Sequence, residues 1–379
     1  MDRAPAKGGS GSLTEQDLLR MKGGAVKRSL LSLVALAGLS ALALAGCSSG
    51  GGGGGTDTGG GAASATACVI LPDAASSPRW ETLDRPALEK GLADAGFKAD
   101  IQNAQGDTAK YATIADQQLS SGCGVMLLVD YNGAGVTVAQ KAKAQGIPVI
   151  AYDRPIAGAD YYVSFDNEKV GELEGQSIVD GLKAAGKDPK TAIVVYMGGD
   201  PADGNAKMFH DGAVSVMEAA GIKPAAEPPG VWDGAKSATN FEQALTSLGG
   251  KVDAVWVAND TNAAGVISIL DKNGLTVPVS GQDASVEGLR NVLLGKQTAT
   301  VYKPVSDEAK AAIDLAVQLL QGQTPKVDKT LDDGTPYIAV TPILVGPEEV
   351  ESVVQAGDAK ASDLCSGDTA DACAKYGVK

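Results

Sequence analysis

The sequence predicts an α/β fold with two lobes, each built on a doubly wound parallel sheet. Short apolar, β-branched runs recur from residue 66 onward, and amphipathic helical stretches alternate with them. Near-continuous apolar runs are typical of strands that are buried on both faces, and strand–helix alternation implies right-handed crossovers. About ten strands of this kind would make two sheets rather than one.

The predicted elements follow one another in a regular order along the chain. The strand-like runs are Cys68–Leu71, Gly124–Val129, Pro148–Tyr152, Ala192–Met197, Ala254–Ala258, Val277–Ser280 and Ala299–Tyr302. The apolar residues that share helical faces are Leu88, Leu92 and Ala95; Tyr111, Ile114, Ala115 and Leu119; and Val138, Ala139 and Ala142. Helices are expected to end at Gly96, Gly122, Gly146, Gly221 and Gly274, because glycine readily adopts the left-handed conformation that ends many helices.

An export signal precedes the folded part of the chain. Met21–Arg28 is basic, Leu30–Ala45 is apolar, and Leu44–Cys47 offers a small-residue cleavage site. The apolar run is shorter than the ~20 residues that a transmembrane helix needs. Leu-Ala-Gly-Cys also resembles a bacterial lipobox, in which the cysteine is lipidated and becomes the mature N-terminus. We therefore expect a signal peptide over residues 1–46, with Met21 as an alternative start, and a lipid on Cys47. An ordinary signal peptide followed by a chance cysteine is the alternative.

Charge and composition argue against several classes of function. The 379 residues include 32 Lys and Arg against 46 Asp and Glu, a net charge of −14. Because an acidic surface repels phosphate backbones, no nucleic-acid partner is expected. The single histidine, His210, excludes a poly-histidine metal site and argues against a Ser-His-Asp hydrolase. No P-loop occurs, and the GxGxxG pattern occurs only within the glycine run Gly50–Gly55, where no strand-like run precedes it. The expectation is a protein without metal, cofactor or enzymatic activity.

Four cysteines remain in the exported part of the chain, and an even number there suggests disulfides. Cys68 and Cys123 each begin a strand-like run, so they would lie close together if those strands are neighbours in one parallel sheet. Cys365 and Cys373 would close a short C-terminal loop. This pairing is favoured, and buried free thiols are the alternative.

Polar residues directly follow the ends of the predicted strands. They are Asp153, Arg154, Asn259, Asp260, Asp283 and Lys303. In open α/β sheets, ligands bind outside the carboxyl ends of the strands. Any one of these residues could be an ordinary polar loop residue, but the whole set recurs at one topological position. The pattern therefore predicts a binding crevice at the strand ends.

The chemistry of these residues suits a polyhydroxylated ligand. A hydroxyl group both donates and accepts; Asp accepts, Arg and Lys donate, and Asn does both. The planar fork of Arg can also span two adjacent oxygens. The apolar C–H faces of a sugar ring call for flat aromatic surfaces. Trp80 and Trp232 lie in loop-like segments that could supply them, whereas Trp256 lies in an apolar run expected in the core.

Five segments, taken in order, resemble one family. They are Ala151–Pro155, Ser164–Gly171, Met197–Lys207, Ser280–Ala284 and Thr300–Pro304. Together they resemble the type I periplasmic sugar-binding proteins of bacterial ABC transporters, closest to the xylose-binding and multi-sugar-binding members, over residues 67–345. The resemblance implies that the sugar is held by Arg79, Trp80, Arg154, Asp203, Asn205, Trp232, Asn259, Asp283 and Lys303.

Some of these assignments leave alternatives open. Asp153 joins the set because it precedes Arg154 and Pro155 at a strand end, although Asp153 and Arg154 could instead form a structural ion pair. Asp203 and Asn205 could be turn formers, since both residue types favour turns. Gly204 departs from the family pattern, where Asn is frequent at this position.

The resemblance also implies the domain organisation and the function. Two lobes, joined by three crossing segments, would comprise residues 66–165 with 305–335 and residues 166–304 with 336–360. The resemblance says nothing about the flanking segments, but their composition predicts a glycine-rich tether at 47–65 and a cysteine-containing tail at 361–379. We expect a monomer, lipid-anchored at the outer face of the cytoplasmic membrane, that captures a monosaccharide by lobe closure. Xylose is the first candidate and glucose the second. The sugar would pass to the permease and ATPase of an ABC importer.

Two other functions were weighed against transport. A sugar-sensing surface receptor would use the same fold without delivering the sugar. A glycosidase would need a carboxylic acid of raised pKa opposite a second carboxylate at a defined separation, and nothing in the sequence singles out such a pair. Type I repressors share the ligand-binding fold but begin with a helix-turn-helix, whereas this chain carries an export signal near its N-terminus.

Overall fold

The structure is a computed structural model that describes residues 65–327 and 329–379. The expected signal peptide, the lipid expected on Cys47 and the expected tether up to residue 64 lie outside the described residues. The strands in chain order are β1 (Thr66–Leu71), β2 (Lys98–Asn103), β3 (Cys123–Leu128), β4 (Val149–Tyr152), β5 (Tyr161–Phe165), β6 (Val194–Met197), β7 (Pro224–Ala226), β8 (Ala254–Val257), β9 (Thr300–Tyr302), β10 (Lys329–Thr330), β11 (Pro336–Val340) and β12 (Ile343–Val345).

The helices alternate with these strands, as the sequence predicted. They are α1 (Arg85–Asp94), α2 (Thr108–Ser120), α3 (Ala134–Ala144), α4 (Asn167–Ala184), α5 (Gly204–Ala219), α6 (Gly234–Ser247), α7 (Asp260–Lys272), α8 (Val286–Leu293), α9 (Val305–Leu320), α10 (Val350–Ala356), α11 (Ala361–Leu364) and α12 (Ala370–Tyr376). A short π-helical turn, Trp80–Asp84, leads directly into α1. The five glycines expected to end helices all have positive φ, between 66° and 91°.

The first lobe is built on a seven-stranded sheet with the order β10-β11-β5-β4-β3-β1-β2. All neighbours in it are parallel except β10 and β11. The sheet is covered on both faces because alternate residues of β1 pack on opposite sides. Val69 packs with Leu88 of α1, whereas Ile70 packs with Ile114 of α2. This is the two-sided burial that the apolar runs predicted.

The second lobe contains a parallel sheet, β7-β6-β8, and an antiparallel pair, β12-β9. Single bridges, Val255 with Val279 and Gln282 with Val301, join the two into one continuous layer. The predicted strand Val277–Ser280 is therefore wrong as a regular strand, because only Val279 pairs with a neighbour. Trp256 of β8 is fully buried in this core, as expected.

Sequence reasoning missed several strands. The strand β2 forms the edge of the first sheet and contains Lys98, Asp100 and Gln102, so it lacks the continuous apolar run of an inner strand. The strand β5 was quoted only as part of a family motif, although four of its five residues are buried.

One domain boundary differs from the expectation. Residues 336–360 were assigned to the second lobe, but β11 pairs in parallel with β5 and therefore belongs to the first sheet. Tyr337 of β11 also stacks on Tyr162 of β5, with 4.7 Å between ring centroids. The chain crosses to the second lobe only between β11 and β12, after Val340. The other two crossings follow β5 and β9, so three segments connect the described sheets.

Both predicted disulfides are confirmed. Cys68 of β1 is bonded to Cys123 of the neighbouring β3, with 5.8 Å between Cα atoms. Cys365 is bonded to Cys373 within the C-terminal tail. This tail packs on α8, where Arg290 donates hydrogen bonds to the carbonyls of Leu364 and Ser366. Over the ranges 65–327 and 329–379, no helix is long and apolar enough to cross a bilayer.

The two disulfides are predicted to differ in their effect on stability. Cys68 and Cys123 are 55 residues apart, whereas Cys365 and Cys373 are 8 apart. Because the longer loop restricts the unfolded chain more, we expect losses of about 4 kcal/mol for C68A/C123A and about 2.5 kcal/mol for C365A/C373A. Denaturant unfolding of the two double variants tests this. An equal or larger loss for the tail variant would contradict it.

Candidate functional site

The ten predicted ligand-binding residues converge on one cavity between the two sheets. The volume of the cavity is about 30 Å³, so the two lobes leave little free space between them. It is lined by Arg79, Trp80, Asp153, Arg154, Asp203, Asn205, Trp232, Asn259, Asp283 and Lys303, together with Ser76, Ser77, Phe209 and Gln282. These residues lie just beyond the carboxyl ends of β1, β4, β6, β8 and β9, where the two lobes face each other.

Arg79 is the most heavily paired residue of the site. Its Nε and Nη2 donate to Asp84 at 2.9 and 2.8 Å, and Nη1 donates to Asp153 Oδ2 at 3.0 Å. Nη2 also contacts Glu308 of α9. Burial disfavours the charge of the guanidinium, but the Asp84, Glu308 and Asp153 carboxylates raise the pKa of Arg79 well above its ordinary value. Four of its five N–H donors are engaged in this way, so Arg79 holds Asp153 in place and keeps one N–H of Nη1 for a ligand.

Two residues behind Arg79 escaped the sequence analysis. Asp84 and Glu308 are fully buried and lie on the π-helical turn and on α9, not at a strand end. Asp84 also accepts a hydrogen bond from the Tyr152 hydroxyl at 2.6 Å. Burial raises the pKa of Glu308 well above its ordinary value, although Arg79 opposes this shift. The sequence could have indicated them only by placing a carboxylate at a helical position that faces the core.

Trp80 presents its indole ring to the cavity from a buried position. Its Nε1 donates to Ser76 Oγ at 3.1 Å, and only 2% of the residue is exposed. The guanidinium carbon of Arg79 lies 4.7 Å from the ring centroid, and that of Arg154 lies 5.5 Å away. These cation–π contacts and the Ser76 bond fix the orientation of the ring.

Asp153 and Arg154 do not form the ion pair that was the structural alternative. Asp153 pairs with Arg79, whereas Arg154 Nε lies 3.0 Å from Asp203 Oδ2 in the other lobe. Asp153 has φ of 63°, a left-handed conformation that is unfavourable for a non-glycine residue. Its carbonyl accepts three hydrogen bonds, from Tyr162 Oη, Ser164 Oγ and Asn205 Nδ2, which hold it there.

Asp203 and Asn205 act both as turn formers and as part of the cavity wall. Asp203 caps α5, where its Oδ1 accepts from the Asn205 amide at 2.9 Å. Its Oδ2 accepts from Trp232 Nε1 at 3.1 Å. Burial raises the pKa of Asp203 above its ordinary value, with Arg154 opposing. The unusual Gly204 has a steric reason, because a Cβ there would lie 2.7 Å from the Pro155 ring.

Asn259, Asp283 and Lys303 complete the wall from the second lobe. Asn259 caps α7, and its Nδ2 reaches the Ser76 carbonyl of the first lobe at 3.3 Å. Lys303 Nζ lies 2.8 Å from Asp283 Oδ1, and both side chains are buried. Burial disfavours the ammonium charge, but Asp283 and Asp153 raise the pKa of Lys303 above its ordinary value.

Four lining residues were not predicted. Ser76 matters most, because its Oγ accepts from Trp80 and Arg154 and donates to Asp73. It lies in a run of small residues after β1, and serine in such a run is not distinctive. Gln282 and Phe209 lie beside predicted residues, but an amide or a phenyl ring alone does not indicate a site.

Comparison with known proteins decides the family. Residues 68–324 match the family described as periplasmic binding protein domain. The chain belongs to the periplasmic binding proteins. Its fold is the type I form of that family, with two α/β lobes, as the sequence predicted.

Curated relatives cover most of this periplasmic binding protein. The D-xylose-binding periplasmic protein of Escherichia coli (strain K12) is 36% identical over 300 residues, covering 76% of this chain and 88% of the relative. The multiple sugar-binding periplasmic receptor ChvE of Rhizobium radiobacter is 33% identical over 329 residues. The match covers 79% of this chain and 92% of the relative.

Solved structures with a similar fold include two glucose complexes. A carbohydrate transporter solute binding protein from Chloroflexus aurantiacus in complex with D-glucose superposes with a TM-score of 0.69 at 26% identity, covering 78% of this chain and 97% of that one. An ABC transporter solute binding protein from Clostridium phytofermentans with bound β-D-glucose superposes with a TM-score of 0.71 at 26% identity. The match covers 79% of this chain and 99% of that one.

A buried acid supports the second lobe of this periplasmic binding protein behind the cavity. Glu174 of α4 is fully buried, and its Oε2 accepts from Trp256 Nε1 at 2.9 Å. Its Oε1 has no partner among the described residues. Burial raises the pKa of Glu174 well above its ordinary value, with the Trp256 bond and Lys303 opposing. The neutral acid is therefore the favoured form in the folded protein.

The stability of the protein should fall as Glu174 is forced to ionise. Since its folded pKa is raised, its contribution to stability is complete below the ordinary Glu pKa and is lost as pH rises through the raised value. As pH rises from about 4 to about 9, the Tm of the isosteric Glu174→Gln variant should fall less than that of the wild type, by about 2 °C or more. Exposed Glu172 on the same helix supplies the control, Glu172→Gln. Parallel Tm–pH curves for wild type and Glu174→Gln would contradict this assignment.

Proposed function

We propose that this protein is an extracytoplasmic solute-binding lipoprotein that captures a monosaccharide and delivers it to an ABC importer. The observation that carries the proposal is a cavity in which charged and aromatic groups from both lobes meet. A ligand held there touches both lobes at once. Binding therefore favours the state in which the lobes are together.

The polar lining matches the needs of a sugar. Three cations, Arg79, Arg154 and Lys303, lie beside carboxylates of the same cavity. Such paired groups can donate to and accept from neighbouring hydroxyls without leaving a net charge to be balanced by the ligand. The rings of Trp80 and Trp232 supply apolar surface for the C–H faces of the sugar.

Xylose is the first candidate ligand and glucose the second. The relatives named for D-xylose are 36% identical to this chain, and the similar solved complexes at 26% identity hold glucose. A pentose and a hexose differ by one CH₂OH group, so the space beside the ring decides between them.

Closure of the lobes supplies the mechanism. An ion pair across the gap links Arg154 to Asp203. Hydrogen bonds across it link Asn259 to the Ser76 carbonyl and Asn205 to the Asp153 carbonyl. These contacts stabilise the closed arrangement, and a bridging sugar adds further bonds to it. Domain closure around ligands is the general behaviour described for periplasmic binding proteins. The permease with its ATPase would then recognise the closed form of a monomer.

A sensory role is the second candidate. One relative is named a receptor, and the same closed form could signal instead of delivering the sugar. A glycosidase has less support, because it needs two carboxyl groups that face the scissile bond, whereas Asp153, Asp203 and Asp283 are each held in an ion pair with a cation of the cavity wall.

The sugar site is testable by titration calorimetry with a panel of aldopentoses and aldohexoses. We expect one aldopyranose to bind at micromolar or tighter concentration. Asp283→Asn keeps the shape and tolerates the positive φ, but it should weaken binding about ten- to hundredfold because a charged hydrogen-bonding partner is lost. Asp271→Asn, on the exposed face of α7, is the control. Unchanged affinity in Asp283→Asn would remove Asp283 from the site.

The anchor is testable separately. Cys47→Ala should release the protein from membranes and leave its sugar affinity unchanged, because the lipid and the cavity lie on different parts of the chain. Fractionation followed by immunoblotting measures the distribution. Retention of the variant in the membrane fraction would contradict lipidation at Cys47.

A further inference from the structure

A second buried carboxylate, Asp260, lies directly behind the Asp283–Lys303 pair. Asp260 is the first residue of α7, follows the lining residue Asn259, and is only 1% exposed. It does not line the cavity itself. Sequence analysis noted its place after a strand but gave it no role.

Asp260 holds both sides of the turn that carries Asp283. Its backbone amide donates to the Gln282 carbonyl at 3.0 Å, and its Oδ2 accepts from the Ser285 amide at 2.9 Å. Between these two anchors, Asp283 and Ala284 have φ of 95° and 47°. Two consecutive left-handed non-glycine residues are costly and persist only when their surroundings hold them.

A third contact runs through Thr300, which begins β9. Its Oγ1 accepts from the Ala284 amide at 3.1 Å, so its hydroxyl proton is free to be donated to Asp260 Oδ1 at 2.9 Å. Gln297 Nε2 also donates to Oδ1, at 2.8 Å. The partners of the carboxylate are therefore all donors, an arrangement that suits the ionised form.

The carboxylate has little room to adjust. A Cβ on Gly288 would overlap Oδ2, and a Cβ on Gly281 would lie 2.5 Å from Oδ1, so glycine backbone encloses it from two sides. No cation is among its hydrogen-bond partners in the described residues. The charged groups around it are Asp283 on the turn, Glu174 on α4, and Lys303 beyond β9, which pairs with Asp283.

We propose that Asp260 is a positioning residue: its ionised carboxylate holds the Asp283 turn in the geometry that binds the sugar, and its protonation releases that turn. This rests on the proposed sugar-binding function and adds a regulation of the same site. A proton on Asp260 would face one of the three donors and weaken its bond, because the oxygen that carries the proton then donates instead of only accepting. The turn would then be held less firmly next to Asp283.

The balance between the two forms lies near neutral pH. Burial raises the pKa of Asp260 to about 7, with the Asp283 charge adding to the shift and the three donors opposing it. If the sugar binds only the ionised form, Kd should be nearly constant above this pH. It should rise about tenfold between about pH 8 and about pH 6.

The test measures sugar affinity by calorimetry across this pH range, using the sugar that the panel identifies. The wild type should show the tenfold rise in Kd. Asp260→Asn cannot accept from all the donors and does not titrate. Its Kd should therefore be raised about tenfold at pH 8 and be flat with pH. Asp271→Asn, a carboxylate change on the exposed end of the same helix, should keep the wild-type profile.

A second pair of variants separates positioning from general loss of structure. Thr300→Val removes the hydroxyl link and should weaken binding, whereas Thr300→Ser keeps the hydroxyl and should restore affinity and its pH dependence. Equal affinity at pH 6 and pH 8 in the wild type, or an Asp260→Asn profile as steep as the wild type, would overturn the inference. In either case sugar binding itself would stand. Absence of sugar binding at every pH would instead contradict the proposed function.

Discussion

The structure depends on the pairing of opposite charges at the carboxyl ends of two sheets. Arg79, Arg154 and Lys303 are buried, and each lies beside a buried carboxylate. Burying any of these cations without a partner would cost free energy. Because each is paired with a carboxylate, the three line one cavity without giving it a large net charge. The Arg154–Asp203 pair joins the two lobes. The ion pairing that offsets the cost of burying these charges therefore also holds the lobes together.

Backbone strain occurs at the residues that direct these carboxylates toward their cations. Asp153 and Asp283, one in each lobe, both have positive φ and both present a carboxylate to a cation. In each case buried hydrogen bonds compensate for the strain: three side chains bond to the Asp153 carbonyl, and Asp260 spans the Asp283 turn. Rigid turns of this kind orient polar groups before a ligand arrives, which lowers the ordering cost of binding.

Much of the fold and of the candidate site was predictable from local patterns. Inner strands such as β1 and β3 are continuous apolar runs, and polar residues that follow such strands meet at one edge, which is how Arg154, Asn259 and Asp283 were found. Edge strands and supporting residues were not predictable in this way. The strand β2 is polar because it lies at an edge, and Glu308 looks like any acidic residue in a helix until its partner is known.

The sequence by itself determined the alternation of strands and helices and indicated where the candidate crevice lies, because these follow from periodicity and chain order. It favoured the pairing of Cys68 with Cys123, which depended on β1 and β3 being neighbours in the sheet. Only the tertiary structure decided which charges pair, since Arg79 with Glu308 and Arg154 with Asp203 are brought together by elements far apart in the chain. It also decided that β11 joins the first sheet, because strand pairing depends on which edge is free and not on the residues of the strand alone.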